Sequence, residues 1–215
     1  DLAGSPPFND SRTPYASGGF SYTYCMIVTG IDYSLRGPAI CVHKGELDQP
    51  FNFCRCKFYF LTDTKKYAKT FLSNIHGSIF EEYNHDCERY DTISSWAADV
   101  CHGSDQVALE GYAYGAKGRV FHIAENTGVL KYKLFQANIP VEIISPSEVK
   151  KKATGKGNAD KNLMHISFMQ ETGYNLKSLI TPDKKEPTNP VSDIVDSYYV
   201  CKALFEKLKE TSQST

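Results

Sequence analysis

The sequence has no apolar run approaching the roughly 18–20 residues needed to cross a bilayer, which excludes a membrane-spanning helix. It has no charge excess of either sign, because the formal net charge is -1. Proteins that bind nucleic acid are often basic overall, so this balance counts against such a partner unless the charge is unevenly spread. No C-x2-C pair occurs. Cys25, Cys41, Cys54, Cys56, Cys87, Cys101 and Cys201 are odd in number and scattered, several of them inside apolar runs such as Ala39-Ile40-Cys41-Val42. They read mainly as reduced, buried thiols of an intracellular protein. A zinc site assembled from Cys54, Cys56, His85 and Cys87 has no paired motif behind it. No G-x4-G-K-[ST] follows a strand, which removes a Walker-type phosphate loop. There is no internal repeat.

What is present is the composition of a globular protein, 41% hydrophobic and 23% charged over 215 residues. That length suits one domain with a sizeable core, or at most two small ones. Residues 1–25 are rich in Ser, Gly, Pro and Tyr and lack apolar periodicity. They read as a leader, either foreign to the natural chain or disordered. They are no signal peptide, having neither a basic start nor an apolar centre. Residues 26–210 read as a single domain.

Within it, 26–32, 39–43 and 56–62 read as strands joined by short connections, an antiparallel meander. Helical patterns follow at 64–75 and 91–102, then a strand at 106–110, a helix at 117–135 and a strand at 140–144. The remainder reads as helices at 146–152, 159–172 and 191–209, with a Pro- and Lys-rich loop at 181–190. The fold class is α/β: a five-stranded mixed sheet flanked by helices.

Four acids stand out by position. Asp32 ends the first strand and Glu110 the fourth. Asp193 and Asp196 lie three apart at the start of the last helix, so both can face one way. Carboxylates at strand ends point to one sheet edge, and like charges there need a counterion. A hard cation such as Mg2+ answers that need with oxygen ligands, and two such ions can drive phosphodiester hydrolysis. Taken singly, each acid reads first as structural, with Asp and Glu at strand ends commonly in solvent, although Asp32 after Ile27-Val28-Thr29-Gly30-Ile31 is less easily explained so. Asp193 is equally a favourable charge near a helix N-terminus, with Ser192 or Asn189 as cap.

Residues 149–161 carry Lys150, Lys151, Lys152, Lys156 and Lys161 against one aspartate, Asp160. Gly155-Lys156-Gly157 makes the segment flexible. It reads either as a solvated loop or, beside an acidic cluster, as a phosphate-binding element.

These pieces, in this order, resemble the RuvC-type Holliday-junction resolvases of the ribonuclease-H-like superfamily. Gly30-Ile31-Asp32 is similar to that family's opening motif, and Ala108-Leu109-Glu110 to its second acidic strand end. Val149-Lys150, with Gly155, Gly157, Ala159 and Lys161, is similar to its lysine-bearing segment. Ser192-Asp193-Ile194-Val195-Asp196 is similar to its terminal D-x-x-D helix. The likeness spans 26–205. It implies a ribonuclease-H-like fold and a homodimer that nicks four-way DNA junctions in symmetric pairs with Mg2+ or Mn2+, two ions per site. Asp32, Glu110, Asp193 and Asp196 would hold the metal, and Lys150 and Lys161 would act at the scissile phosphate. Lys151, Lys152 and Lys156 would bind the substrate backbone. It further implies a cell interior, that of a bacterium, a phage-infected cell or another DNA-containing compartment; a viral or phage source suits so divergent a member.

Two departures stand out. The stretch from Glu46 to Gly103 is long for the family, with room for an inserted helix pair. After Glu110 the family places a junction-probing aromatic, whereas here Tyr112 and Tyr114 stand out of register, either to stack on a base or to fill the core. Competing readings are another nuclease on this fold, acting on RNA–DNA hybrids or flaps, and an acid-bearing scaffold that only binds DNA or protein. A kinase relative would need glycine-rich phosphate loops that are not found.

Overall fold

A computed structural model of the chain describes residues 25–111 and 120–213. Seven strands form one mixed sheet: β1 Cys25–Asp32, β2 Ala39–Glu46, β3 Cys56–Thr62, β4 Thr70–Phe71, β5 Ile75–Ile79, β6 Gln106–Glu110 and β7 Val141–Ile144. Their order across the sheet is β4-β5-β3-β2-β1-β6-β7. The meander β1–β2–β3 is antiparallel, while β6 runs parallel to β1 and β7 parallel to β6. Six helices complete the fold: α1 Asp86–Val100, α2 Val120–Gln136, α3 Pro146–Thr154, α4 Lys161–Thr172, α5 Leu176–Ile180 and α6 Val191–Gln213. None of the described helices is long and apolar enough to cross a membrane.

The period of two divides the strands between two cores. Val28, Ala39, Cys41, Phe58 and Ala108 share one core with residues of α3, α4, α5 and α6. Ile31, Ile40, Leu61, Val107 and Leu109 face the other, against Ile93 and Ala97 of α1 and Leu130 and Leu134 of α2. Asp32 has the parity of Val28, and Glu110 that of Ala108. Both acids therefore belong to the α6 face.

Helix α6 is buried along most of its first four turns, from Val191 to Phe205. It crosses β1 at Gly30, where a Cβ would meet the Cα of Cys201 at 2.5 Å. Only glycine allows that approach. Helices α3 and α4 are well delimited. Ser145 caps α3 by accepting from the Glu148 N–H, Pro146 follows at the first turn, and Gly155 ends it at φ +77°. Asp160 caps α4 by accepting from the Leu163 N–H at 2.8 Å, and Gly173 ends it at φ +80°.

The main correction concerns 64–75, expected as a helix. The chain there makes a single 3-10 turn, Lys65–Tyr67, and then the hairpin β4–β5. Tyr67, Phe71 and Ile75 are spaced by four and imitate a helical stripe. They instead reach one core from three different elements. Leu72 and Ser73 turn the hairpin at φ +50° and +61°, a conformation side chains seldom adopt and sequence patterns seldom show. The sheet thus has seven strands rather than five, and the 46–103 region carries one helix rather than a pair. The described cysteines are all free thiols, but Cys25, Cys54 and Cys87 are exposed rather than buried.

Candidate active site

Strands β1 and β6 are parallel neighbours, with Ile31 paired to Leu109. One residue further, Asp32 and Glu110 stand side by side at the C-terminal edge of the sheet, on the same face. The first turns of α6 lie across them. Asp193 is buried at 5% exposure, whereas Asp32, Glu110 and Asp196 are half-buried. The turn between β1 and β2 comes so close to α6 that a Cβ on Gly37 would meet Asp193 Oδ2 at 2.7 Å.

The four acids feel one another's charge. Burial raises the Asp32 carboxyl well above its ordinary range, and the charges of Asp193, Asp196 and Glu110 raise it further. Burial lifts Glu110 to about 7, reinforced by Asp196 and Asp193 and opposed by Lys150. Asp193 is lifted to about 7 by burial, against Lys161 and the Ser192 hydroxyl. Asp196 rises to about 6, again by burial, with Lys161 and Lys150 opposing. Desolvation of several like charges at one spot is the arrangement that a bound cation relieves.

Lys150 of α3 and Lys161, the first residue of α4, therefore border the cluster on two sides. Lys161 Nζ donates to Ser192 Oγ at 3.2 Å. Ser192 in turn lies 3.1 Å from Asp193 Oδ1 and 3.0 Å from Asn189 Oδ1. That bridge holds the ammonium beside the α6 acids. Ser192 and Asn189 were legible only as a helix cap; their link to Lys161 depends on α4 packing beside α6.

The other expected substrate contacts differ among themselves. Lys152 is drawn toward α6, 3.0 Å from Glu206 and 3.7 Å from Glu210. Lys151 and Lys156 are exposed. Tyr112 and Tyr114 lie outside the described residues.

The donors fit a hard divalent cation. All four candidate ligands are carboxylates, and Asp193 Oδ2 is buried with no hydrogen-bond partner. An oxygen in that condition costs free energy until something positive meets it. Among the described residues, no three carboxylate, imidazole or thiol groups converge into a ready-made cage.

Comparison with known proteins shows what the chain is similar to. The family described as crossover junction endodeoxyribonuclease RuvC matches residues 87–188. That span holds Glu110, Lys150 and Lys161, but neither Asp32 nor the two aspartates of α6. A crossover junction endodeoxyribonuclease RuvC of Corynebacterium diphtheriae is 36% identical over 78 residues, covering 36% of this chain and 47% of that protein. The match thus spans about half the length of the relative. The Thermus thermophilus RuvC structure superposes with a TM-score of 0.56 at 19% identity, over 86% of this chain and 98% of that one. T. thermophilus RuvC in complex with a Holliday junction substrate gives 0.57 at 19% identity, over 87% and 97%. At this identity the structural likeness shows a shared fold.

Proposed function

We propose that this chain, a relative of the RuvC crossover junction endodeoxyribonucleases, is a metal-dependent DNA endonuclease that resolves four-way junctions by paired, symmetric nicks. One observation carries the reading. Asp32 and Glu110 sit on adjacent strands beneath Asp193 and Asp196, with Lys150 and Lys161 at the rim. Only Glu110 and the lysines fall in the span matched to the family, so the fold, not local sequence likeness, completes the set.

The roles follow from chemistry and position. Asp32, Glu110, Asp193 and Asp196 would hold Mg2+ or Mn2+, which when bound supplies an activated water and charge stabilisation at the phosphate. Asp32 and Glu110 would tie the ligand set to the ends of β1 and β6. Asp193 and Asp196 complete it from α6. Lys161, held by Ser192, offsets charge that builds on the phosphate oxygens as the bond breaks. Lys150 does the same from the Glu110 side. Lys151 and Lys156 are free to meet the backbone of the strand. Lys152, tied to Glu206, contributes less.

Two cuts related by symmetry need two sites related by a two-fold axis. An apolar surface on α2 supports a homodimer. Phe121, Tyr132 and Phe135 are 79%, 60% and 75% exposed, and Ile143 on the edge strand β7 is 48% exposed. Aromatic residues spaced by 11 and 14 lie on one stripe of a helix, and a stripe so exposed calls for a partner.

The test is a set of synthetic substrates run side by side: four-way junction, duplex, flap and RNA–DNA hybrid, with and without Mg2+. Metal-dependent nicks confined to the junction are expected. Cleavage confined to the hybrid or flap would transfer the site to another nuclease activity, and no cleavage in any lane would leave a binding scaffold.

A further inference from the structure

The loop joining β1 to β2 has two sides. Gly37 on one side lies against Asp193. On the other, Leu35 and Arg36 help to line a pocket of about 210 Å³ together with Asp86, Arg89 and Tyr90 of α1 and His122 of α2. Sites for drug-sized ligands occupy roughly 300–1,000 Å³, so this pocket suits a small group rather than a whole nucleoside.

Its lining is rich in donors. Arg36 is exposed at the loop tip. Arg89 donates through Nη2 to the Leu35 carbonyl, which ties α1 to the loop. The Arg89 cation also sits 4.8 Å from the Tyr83 ring, and its Nε is buried without a hydrogen-bond partner. Tyr90 Oη is 2.7 Å from His122 Nδ1 and 3.2 Å from Glu125 Oε2. Tyr90 gives its one proton to the Glu125 carboxylate, so the His122 contact is donated by Nδ1–H to the tyrosine oxygen. Asp86 is the one acid in the lining, and it faces His122 at 3.7 Å. Within the lining two guanidiniums stand against one carboxylate, and Glu125, just outside it, is engaged by Tyr90 and lies 3.8 Å from His122 Nδ1. Guanidinium groups match the oxygens of a phosphate in pairs.

We propose that Arg36 and Arg89 form a binding site for a backbone phosphate of the DNA substrate, across the β1–β2 loop from the carboxylate cluster. This rests on the nuclease reading and adds a subsite to it. The carboxylate cluster needs positive help to hold a polyanion. The lysines provide it on the α3–α4 side, and this pocket provides it on the α1–α2 side. A strand gripped at both has its scissile phosphate fixed between them, which is the positioning that in-line attack requires.

Salt dependence of junction binding tests the subsite, because each phosphate contact contributes about 0.9 to the slope of log affinity against log salt. Binding is measured with Ca2+ in place of Mg2+, and cleavage by wild type is measured in parallel. Arg36→Gln should lower the slope by about one and weaken binding roughly tenfold at low salt. Arg36→Gln with His122→Ala should lower the slope no further, since the His122 proton is held by Tyr90 and meets no phosphate. Lys44→Gln is the control for removing a charge elsewhere. It lies opposite Ile27, at the far end of β1 from the site, and should leave the slope within error. Arg89 also anchors the loop, so Arg89→Gln is read only after its folding is checked by circular dichroism. If wild type cleaves junctions while Arg36→Gln and Lys44→Gln share its slope, the subsite is wrong and the nuclease reading stands. If wild type neither binds nor cleaves DNA, both fall together.

Discussion

Asp32 closes β1 among like charges. It is half-buried beside three other carboxylates, and the Lys161 ammonium opposes their effect on it. Replacing it with Asn keeps the shape and removes the charge. Junction cleavage should fall by at least about 10²–10³, the usual cost of losing one transition-state electrostatic contact, with binding changed only a few-fold. Mn2+ affinity, read by titration calorimetry, should fall with it. Lys161→Met should cut turnover far more than junction affinity; equal loss of both in gel-shift and single-turnover assays would leave Lys161 a binding role only. The raised carboxyls also set a pH dependence. Their folded values of about 6 to 7 lie above the roughly 4 of an unfolded chain. Below about pH 4 the cluster contributes its full stability, and that contribution is lost as pH rises through 6 and 7. In EDTA the protein should therefore melt lower at pH 8 than at pH 5. Mg2+ should recover most of the loss, and Asp193→Asn should raise the pH 8 melting temperature by about 2 °C or more, the value of 1 kcal/mol at this chain length.

At the scale of elements, α6 carries the site because it crosses β1 backbone to backbone at Gly30. Gly30→Ala puts a methyl against the Cys201 backbone, which cannot rotate away. The expected loss is about 3 kcal/mol or more, read from the denaturant midpoint, with junction cleavage reduced as the α6 acids shift. Lys152→Gln, which breaks only a surface pair with Glu206 and Glu210, should cost less than about 1 kcal/mol. Elements with strong local signals were legible in the sequence. The β-branched run of β1 and the acids ending β1 and β6 lie in short windows. Period and strand ends therefore place Asp32 and Glu110 without coordinates. The β4–β5 hairpin was not legible, because Tyr67, Phe71 and Ile75 repeat every four residues although no helix joins them. Nor was the Lys161–Ser192 contact, since it joins residues 31 apart through the packing of two helices. The Arg36–Arg89 pairing across the β1–β2 loop escaped for the same reason, being 53 positions apart along the chain.

For the whole molecule, the question is how one active site becomes two. The exposed stripe of α2 and the neighbouring edge strand β7 offer an apolar surface on a different face from the α6 acids. Phe135→Glu should shift sedimentation from dimer to monomer and reduce paired nicking to single, unpaired nicks. A variant that stays dimeric would move the interface elsewhere. The near-neutral overall charge hides a division of labour, with acids gathered at the sheet edge and cations around its rim. The central claim is that this edge cuts opposed strands of a four-way junction through the four carboxylates. The most direct test maps cleavage on a fixed junction with each strand labelled in turn, in Mg2+, for wild type and Asp32→Asn. The account predicts two nicks placed symmetrically on opposed strands, lost in EDTA and in Asp32→Asn. Undiminished cutting by Asp32→Asn, or nicks without two-fold symmetry, would contradict it.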